Sequence, residues 1–293
     1  MRLGLGLGLS STNRGGSETV APSIVRLVDG AFFDRLLGDY GQLLGVNLHD
    51  GFRWGVFGSG VQRCIFYDAL PVQKSKQTDA EFEIALSKKL NFLNGLRSIP
   101  NMQVRDGVTR LRTKQSGNRM SEVFQQKGVD TWIAVEAMQY APNGIADEVH
   151  IYTSDSDLYP VFEALQNTKC RGILWYGQGI TSKDLIYSAD RSQEITITSL
   201  LSWSKWSHKF LISSGSVLYN WTKLHEFSTG NRRFEIMTDK SKDFAVNVYM
   251  DESHENSAQC KSIYPLVDWL RGYDGELTYS SAKAIVELPS TVL

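Results

Sequence analysis

Cysteine is scarce in this sequence, and the three that occur, Cys64, Cys170 and Cys260, lie far apart. Their spacing matches no cysteine-rich zinc site, and their odd number leaves at least one thiol unpaired. Reduced thiols are typical of a cytoplasmic protein, and we therefore predict a cytoplasmic location.

Histidine is also uncommon, and its five positions form no His-x-His or His-x-x-x-His pair. A zinc site or a histidine-dependent catalytic triad is therefore not indicated, because both need imidazoles that the fold brings together. The five positions are His49, His150, His208, His225 and His254.

Long hydrophobic runs and an excess of charge are missing as well. No apolar stretch reaches the roughly 18 residues of a transmembrane helix, so we predict no membrane association. The alternating Gly and Leu of residues 3–9 follow a single basic residue, which makes a poor signal peptide. The net charge of −1 provides no general attraction to nucleic acid, so any such binding must come from a local patch.

One local basic patch is present between residues 105 and 127. Six basic residues oppose two acidic ones there, a balance of +4. A solvated hairpin or loop would explain this composition, and so would a phosphate-binding surface. Strand-like alternation places Arg110 and Arg112 on one face, and the patch leads directly into Asp130. The basic residues are Arg105, Arg110, Arg112, Lys114, Arg119 and Lys127, against Asp106 and Glu122.

The chain divides into three parts by its composition and its pattern of apolar residues. Residues 1–22 are rich in Gly, Ser and Thr and predict a flexible leader. Residues 23–200 alternate strand and helix patterns, which predicts an α/β domain with a mostly parallel central sheet flanked by helices. Residues 201–293 carry many aromatics in short runs and predict a smaller mixed α/β or β-rich domain of unknown role. Its aromatics could stack bases, but core packing explains them better.

Two local predictions concern the larger domain, one of a loop and one of a helix. Residues 38–60 hold seven glycines, which favours a loop or hairpin insertion. Thr78 and Glu81 form a capping-box pattern that predicts a helix start. Helical spacing then predicts one buried face, made of Phe82, Leu86, Leu90, Leu93 and Leu96.

Four aspartates, Asp29, Asp130, Asp155 and Asp157, stand at the ends of predicted strands or the starts of predicted helices. In an α/β sheet these positions face the functional crevice. Two like charges about 5 Å apart repel by roughly 3 kcal/mol at an effective dielectric of 20, and a cation would reverse that cost. Carboxylate oxygens suit Mg²⁺ or Mn²⁺. The alternative is a purely local role, with Asp155 as a helix cap and Asp157 as a first-turn acid.

Three stretches in order, residues 26–31, 126–137 and 151–158, make residues 24 to about 190 resemble the NYN domain, a PIN-like nuclease fold of the LabA-like type. They read RLVDGA, QKGVDTWIAVEA and IYTSDSDL. The resemblance says nothing of the C-terminal part. Four positions depart from the usual family pattern: Phe32, Glu136, Ser154 and Leu158.

The resemblance implies a metal-dependent endoribonuclease that hydrolyses RNA with Mg²⁺ or Mn²⁺. Its catalytic and metal-binding residues would be Asp29, Asp130, Asp155 and Asp157, with Glu136 a weaker metal ligand. We expect RNA as the partner, with phosphate contacts from Arg110, Arg112 and Lys127, and we leave a homo-oligomer open. The alternative is a catalytically silent RNA-binding or scaffold module on the same fold. A glycosyltransferase ranks last, because it leaves Asp29 and Asp130 unexplained.

Overall fold

Two β-sheets organise the protein in the computed structural model. The structure describes residues 21–116, 119–215, 221–273 and 275–287, and of these it describes only the backbone for residues 108–116 and 119–127. The first sheet has the strand order β4-β3-β2-β1-β5-β6-β7. Its strands are β1 Ile24–Asp29, β2 Arg63–Ala69, β3 Met102–Ser116, β4 Arg119–Lys127, β5 Glu148–Tyr152, β6 Arg171–Tyr176 and β7 Arg191–Glu194.

The first sheet is parallel except for β4, which pairs antiparallel with β3. This confirms the predicted mostly parallel sheet. The chain builds outward from β1 through β2 to β3, and then returns to place β5 on the other side of β1. The direction of winding therefore reverses between β1 and β5, and at such a point the carboxyl ends of the strands leave a crevice.

Helices cover both faces of this sheet. Apolar residues of α1 to α4 pack on one face, and those of α5 to α7 pack on the other. Two buried clusters result, which accounts for the nearly continuous apolar strands between them. The bounds are α1 Gly30–Leu44, α2 Leu48–Gly51, α3 Trp54–Phe57, α4 Asp79–Arg97, α5 Val129–Tyr140, α6 Tyr159–Gln166 and α7 Lys183–Ser188.

The prediction of a loop over residues 38–60 is wrong, because α1 continues to Leu44 and α2 and α3 follow. Two of the glycines serve close packing rather than turns. A Cβ at Gly41 would lie 2.8 Å from the carbonyl oxygen of Val46, and one at Gly51 would lie 2.3 Å from Nε1 of Trp206. Neither contact leaves a periodic signal in the sequence, and the one between Gly51 and Trp206 joins distant parts of the chain.

The capping box of α4 is confirmed, with the Thr78 hydroxyl accepting the Glu81 N–H. The predicted buried face of this helix is only partly correct. Leu93 and Leu96 are buried, whereas Phe82, Leu86 and Leu90 are partly exposed. Only the C-terminal part of α4 therefore reaches the apolar cluster, although the spacing is regular throughout. The predicted leader lies outside the described residues up to residue 20.

The second sheet is antiparallel, which confirms the predicted β-rich C-terminal part. Its order is β8-β12-β11-β10-β9. Its strands are β8 Ser213–Gly215, β9 Thr222–Thr229, β10 Arg232–Thr238, β11 Phe244–Met250 and β12 Ser253–Cys260, and the nearby helices are α8 Ile197–Ser202, α9 Ile263–Leu270 and α10 Tyr279–Glu287. One apolar cluster continues from the first sheet through α8 into this sheet. The aromatics Phe234 and Tyr264 are buried within it, as predicted for core residues.

Two sequence expectations concern the chain as a whole. Cys64, Cys170 and Cys260 are free and buried. Among the residues that the structure describes, no helix has both the length and the apolar character needed to span a bilayer.

Candidate active site

The candidate site lies where β1 and β5 end side by side at the reversal of the strand order. Asp29 is the last residue of β1, and residues 153–157 follow β5 directly. Asp130 is in the first turn of α5. Three separate elements therefore bring the four predicted aspartates to one edge of the sheet.

Asp29 is buried and caps the N-terminus of α1. One of its oxygens accepts the backbone N–H of Ala31 at 3.0 Å and that of Phe32 at 3.2 Å. Gly30 is needed beside it, because a Cβ there would lie 2.6 Å from the carbonyl oxygen of Tyr67. Burial raises the pKa of Asp29 to about 6, and the negative charge of Asp130 adds to the rise. The hydrogen bonds from Phe32 and Ala31 oppose it.

Thr153 joins the ends of the two strands. Its hydroxyl is fully buried and donates to Oδ2 of Asp29 at 3.2 Å. The hydroxyl oxygen of Thr153 also accepts the backbone N–H of Asp155 at 3.0 Å. The hydroxyl therefore fixes the Asp29 carboxylate relative to the loop that carries Asp155 and Asp157. The sequence contains this threonine in the Thr-Ser-Asp-Ser-Asp stretch, but nothing local shows that its partner is Asp29.

Asp155 and Asp157 stand around a single 3-10 turn, Ser156–Leu158. Asp155 is the N-cap of that turn, and its Oδ1 accepts the Asp157 N–H at 2.9 Å. The capping role that the sequence left open is therefore present. It occupies one oxygen of Asp155. The Asp157 side chain is exposed at the surface.

Asp130 interacts electrostatically with Asp29 on one side and with Asp155 and Asp157 on the other. Its side chain is partly exposed, and burial followed by the charges of Asp155 and Asp157 raises its pKa. Asp130 in turn raises the pKa of Asp29. Asp130 is thus close enough to the other three carboxylates to interact with their charges. In the described ranges, however, no three Asp, Glu, His or Cys side chains stand close enough to share a metal ion.

Glu136 lies apart from the aspartates, six residues and about 9 Å further along α5. Its Oε1 accepts Nε of Arg105 at 2.6 Å, and its Oε2 accepts the Tyr67 hydroxyl at 2.6 Å. The carboxylate is buried, with one partner on each oxygen. These contacts tie α5 to β2 and β3 and do not bring Glu136 to the aspartate cluster.

Asp68 is a buried acid that the sequence analysis did not include, although it follows the same strand-end pattern. It pairs with Lys89 of α4, and its Oδ1 accepts the Ala69 N–H at 2.8 Å. Burial raises its pKa, against the opposing effect of Lys89. Asp68 faces α4, on the opposite face of the sheet from its neighbour Tyr67, which packs beneath α5. Strand ends alone do not reveal on which face a carboxylate lies.

A surface groove of about 610 Å³ adjoins the turn between Asp155 and Asp157. It is lined in part by Ser156, Tyr159 and Tyr187, and the Tyr187 side chain is 76% exposed. The predicted phosphate contacts Arg110, Arg112 and Lys127 belong to residues 108–127, so their side chains lie outside the described structure.

Residues 72–197 match the family model described as the NYN domain. This stretch is therefore similar to an NYN domain. The match includes Asp130, Asp155 and Asp157, and it begins after Asp29, which reaches the site through the pairing of β1 with β2 and β5. A search of the curated proteins found no match. Among solved structures, a protein of unknown function from Vibrio parahaemolyticus is similar at 16% identity and a TM-score of 0.39, over 59% of this chain and 93% of that one.

Proposed function

We propose that the NYN domain is a metal-dependent endoribonuclease that uses Mg²⁺ or Mn²⁺. The observation that supports the proposal is the position of Asp29, Asp130, Asp155 and Asp157 at one edge of the sheet, beside the reversal of the strand order. The family match supports a nuclease-like fold, and the carboxylates supply the chemistry.

The donor set suits a hard divalent cation. All four candidate ligands are carboxylates, and such oxygens favour Mg²⁺ or Mn²⁺ over softer metals. Burial and mutual repulsion raise the pKa of Asp29 and of Asp130, and a cation among them would relieve both effects. Glu136 is left out of this ligand set, because Arg105 and Tyr67 already occupy its two oxygens.

When bound, the cation would orient and activate a water molecule and neutralise charge on the phosphodiester. The proposed ligands differ in how firmly they are held and in how exposed they are. Asp29 is held rigidly by the start of α1 and by Thr153. Asp157 is exposed and faces the solvent from which RNA approaches. Rigid ligands on one side and an accessible carboxylate on the other are what a site open to a polymer needs.

The second candidate is an RNA-binding module of the same fold without catalysis. One observation favours it: no three carboxylates of the described residues are arranged to share one metal ion. The departure from the family pattern at Phe32 lies beside the proposed site, since the Phe32 N–H donates to Asp29. This candidate predicts RNA binding that is independent of metal, and no cleavage with any divalent ion.

Labelled single-stranded RNA incubated with the purified protein tests the proposal. We expect cleavage with Mg²⁺ or Mn²⁺ and none after addition of EDTA. Asp157→Asn should reduce the rate about 100-fold or more, because it removes a metal ligand. Asp39→Asn, which changes an exposed aspartate of α1, is the matched control and should cleave normally. Cleavage that persists in EDTA or in Asp157→Asn would disprove the proposed site.

A further inference from the structure

The strands β3 and β4 extend beyond the sheet as a two-stranded ribbon. The pairing of β3 with β2 ends at Gly107, and from Val108 onward β3 pairs only with β4. The ribbon comprises residues 108–116 and 119–127, joined by nine register pairs. At about 3.4 Å per residue it is about 31 Å long. It leaves the sheet at the carboxyl edge of β2, the same edge that carries the aspartates.

The register of the ribbon separates its residues by charge. Directly opposite residues of an antiparallel pair share a face, and successive residues alternate between faces. One face therefore receives all five Lys and Arg residues of the ribbon and no acid. Its pairs are Val108 with Lys127, Arg110 with Gln125, Arg112 with Val123, Lys114 with Ser121, and Ser116 with Arg119. We call this the basic face.

The other face has a different character. It holds the one acidic residue of the ribbon, Glu122, opposite Thr113. It also holds Leu111 opposite Phe124, and Met120 opposite Gln115. The local charge of the segment is thus concentrated on one side, which the alternation along a single strand could not establish for β4.

The base of the ribbon is joined to the candidate site. The strand β4 ends at Lys127, Gly128 turns the chain with a φ of 91°, and Asp130 follows in the first turn of α5. The basic face therefore begins three residues from a proposed metal ligand.

We infer that the basic face binds the phosphate backbone of single-stranded RNA next to the cleavage site. The identity of the polyanion rests on the proposed function; the surface itself rests on the register. Five positive charges without a negative one on that face attract phosphates and release condensed counterions. Because the whole protein carries a net charge of −1, this attraction must be local.

A variant that moves charge between faces tests the inference without changing composition. Exchanging neighbours gives Thr109→Arg with Arg110→Thr, Arg112→Thr with Thr113→Arg, and Lys114→Gln with Gln115→Lys. Net charge and residue content stay the same, while three charges leave the basic face. Binding to a fluorescent single-stranded RNA is measured by anisotropy in EDTA, across a range of salt concentrations, with circular dichroism to verify folding.

We expect the exchanged variant to bind about ten-fold or more weakly at 0.1 M salt. Its slope of log affinity against log salt should be shallower by about 2, since three phosphate contacts contribute roughly 0.7 each for a single strand. Glu122→Gln is the matched control. This substitution removes a negative charge from the face opposite to the basic face. It therefore makes the net charge more positive by one without changing the basic face, and RNA affinity should not change.

Two results would overturn the inference. One is wild-type affinity in the exchanged variant. The other is tighter binding by Glu122→Gln together with an unchanged salt slope in the exchanged variant, which would show that net charge alone matters. Because cleavage plays no part in the measurement, a protein that binds along the ribbon but never cleaves would refute the proposed nuclease and leave the basic face supported.

Discussion

Asp29 is a proposed metal ligand whose charge changes with pH just below neutrality. Its pKa is raised to about 6, first by burial and then by the charge of Asp130. A carboxylate must lose its proton to bind a cation, so protons and metal compete for it. The raised pKa shifts that competition into the range just below neutral pH.

Metal affinity should therefore rise with pH through about 6. At pH 5 about one Asp29 in ten is ionised, and we expect Mn²⁺ to bind about ten-fold more weakly at pH 5 than at pH 7.5. Isothermal titration calorimetry at several pH values measures this directly. An affinity that stays constant between pH 5 and 7.5 would exclude Asp29 as a ligand.

Thr153 supplies a control for this profile. Its hydroxyl donates to the ionised form of Asp29 and so lowers the pKa of that carboxyl. Thr153→Val removes the donor at nearly constant volume, and the profile should move to higher pH. Thr153→Ser keeps the hydroxyl and should restore the wild-type profile, whereas a purely structural role would leave the pH dependence of both variants unchanged.

At the scale of single elements, α4 is held to β2 by the buried pair of Asp68 and Lys89. The Asp68 side chain is 3% exposed, and that of Lys89 is 26% exposed. Lys89→Met leaves the carboxylate buried without its cation, and we expect a loss of about 3 kcal/mol in the free energy of unfolding. Urea denaturation checks the value.

The double variant Asp68→Asn with Lys89→Met is the control, because it removes both charges. It should recover most of the lost stability, since no unpaired carboxylate remains. If Lys89→Met alone unfolds at the same urea concentration as the wild type, the pair does not hold α4 in place.

Local signals in the sequence predicted the start of α4, whereas contacts between separate elements left no local signal. The capping box of Thr78 and Glu81 needs only residues three apart, and so it identifies the start of α4. The roles of Thr153 and Asp68 depend on which strands are neighbours and on which face a side chain emerges. The glycine at position 51 is explained by Trp206, more than 150 residues away.

The candidate site was likewise predictable in part from the sequence. The positions of Asp29, Asp155 and Asp157 after strands follow from the sequence, and their meeting follows from the strand order. Glu136 could not be separated from them by sequence, because its contacts with Tyr67 and Arg105 come from other strands. Residue type and spacing identify candidates, and only the topology shows which of them come together.

For the whole molecule, the two sheets are joined by more than a linker. The Tyr279 hydroxyl accepts the Ile197 N–H at 3.0 Å and donates to Asp268 at 2.5 Å. Asp268 also accepts the Thr198 N–H at 2.9 Å, and the Tyr40 hydroxyl donates to the carbonyl oxygen of Ile195 at 3.3 Å. Four of these residues, Tyr40, Ile195, Ile197 and Tyr279, belong to the apolar cluster that both sheets share.

A shared core predicts that both sheets unfold together. We expect the most protected amides of β5 and β11 to exchange with the same free energy of opening, measured by native-state hydrogen exchange in low urea. Tyr279→Phe removes the hydroxyl between Ile197 and Asp268 and should lower both values equally, by about 1 to 2 kcal/mol. A loss confined to β11 would instead support independent domains divided near residue 200, in which case the domain built on the first sheet could be studied alone.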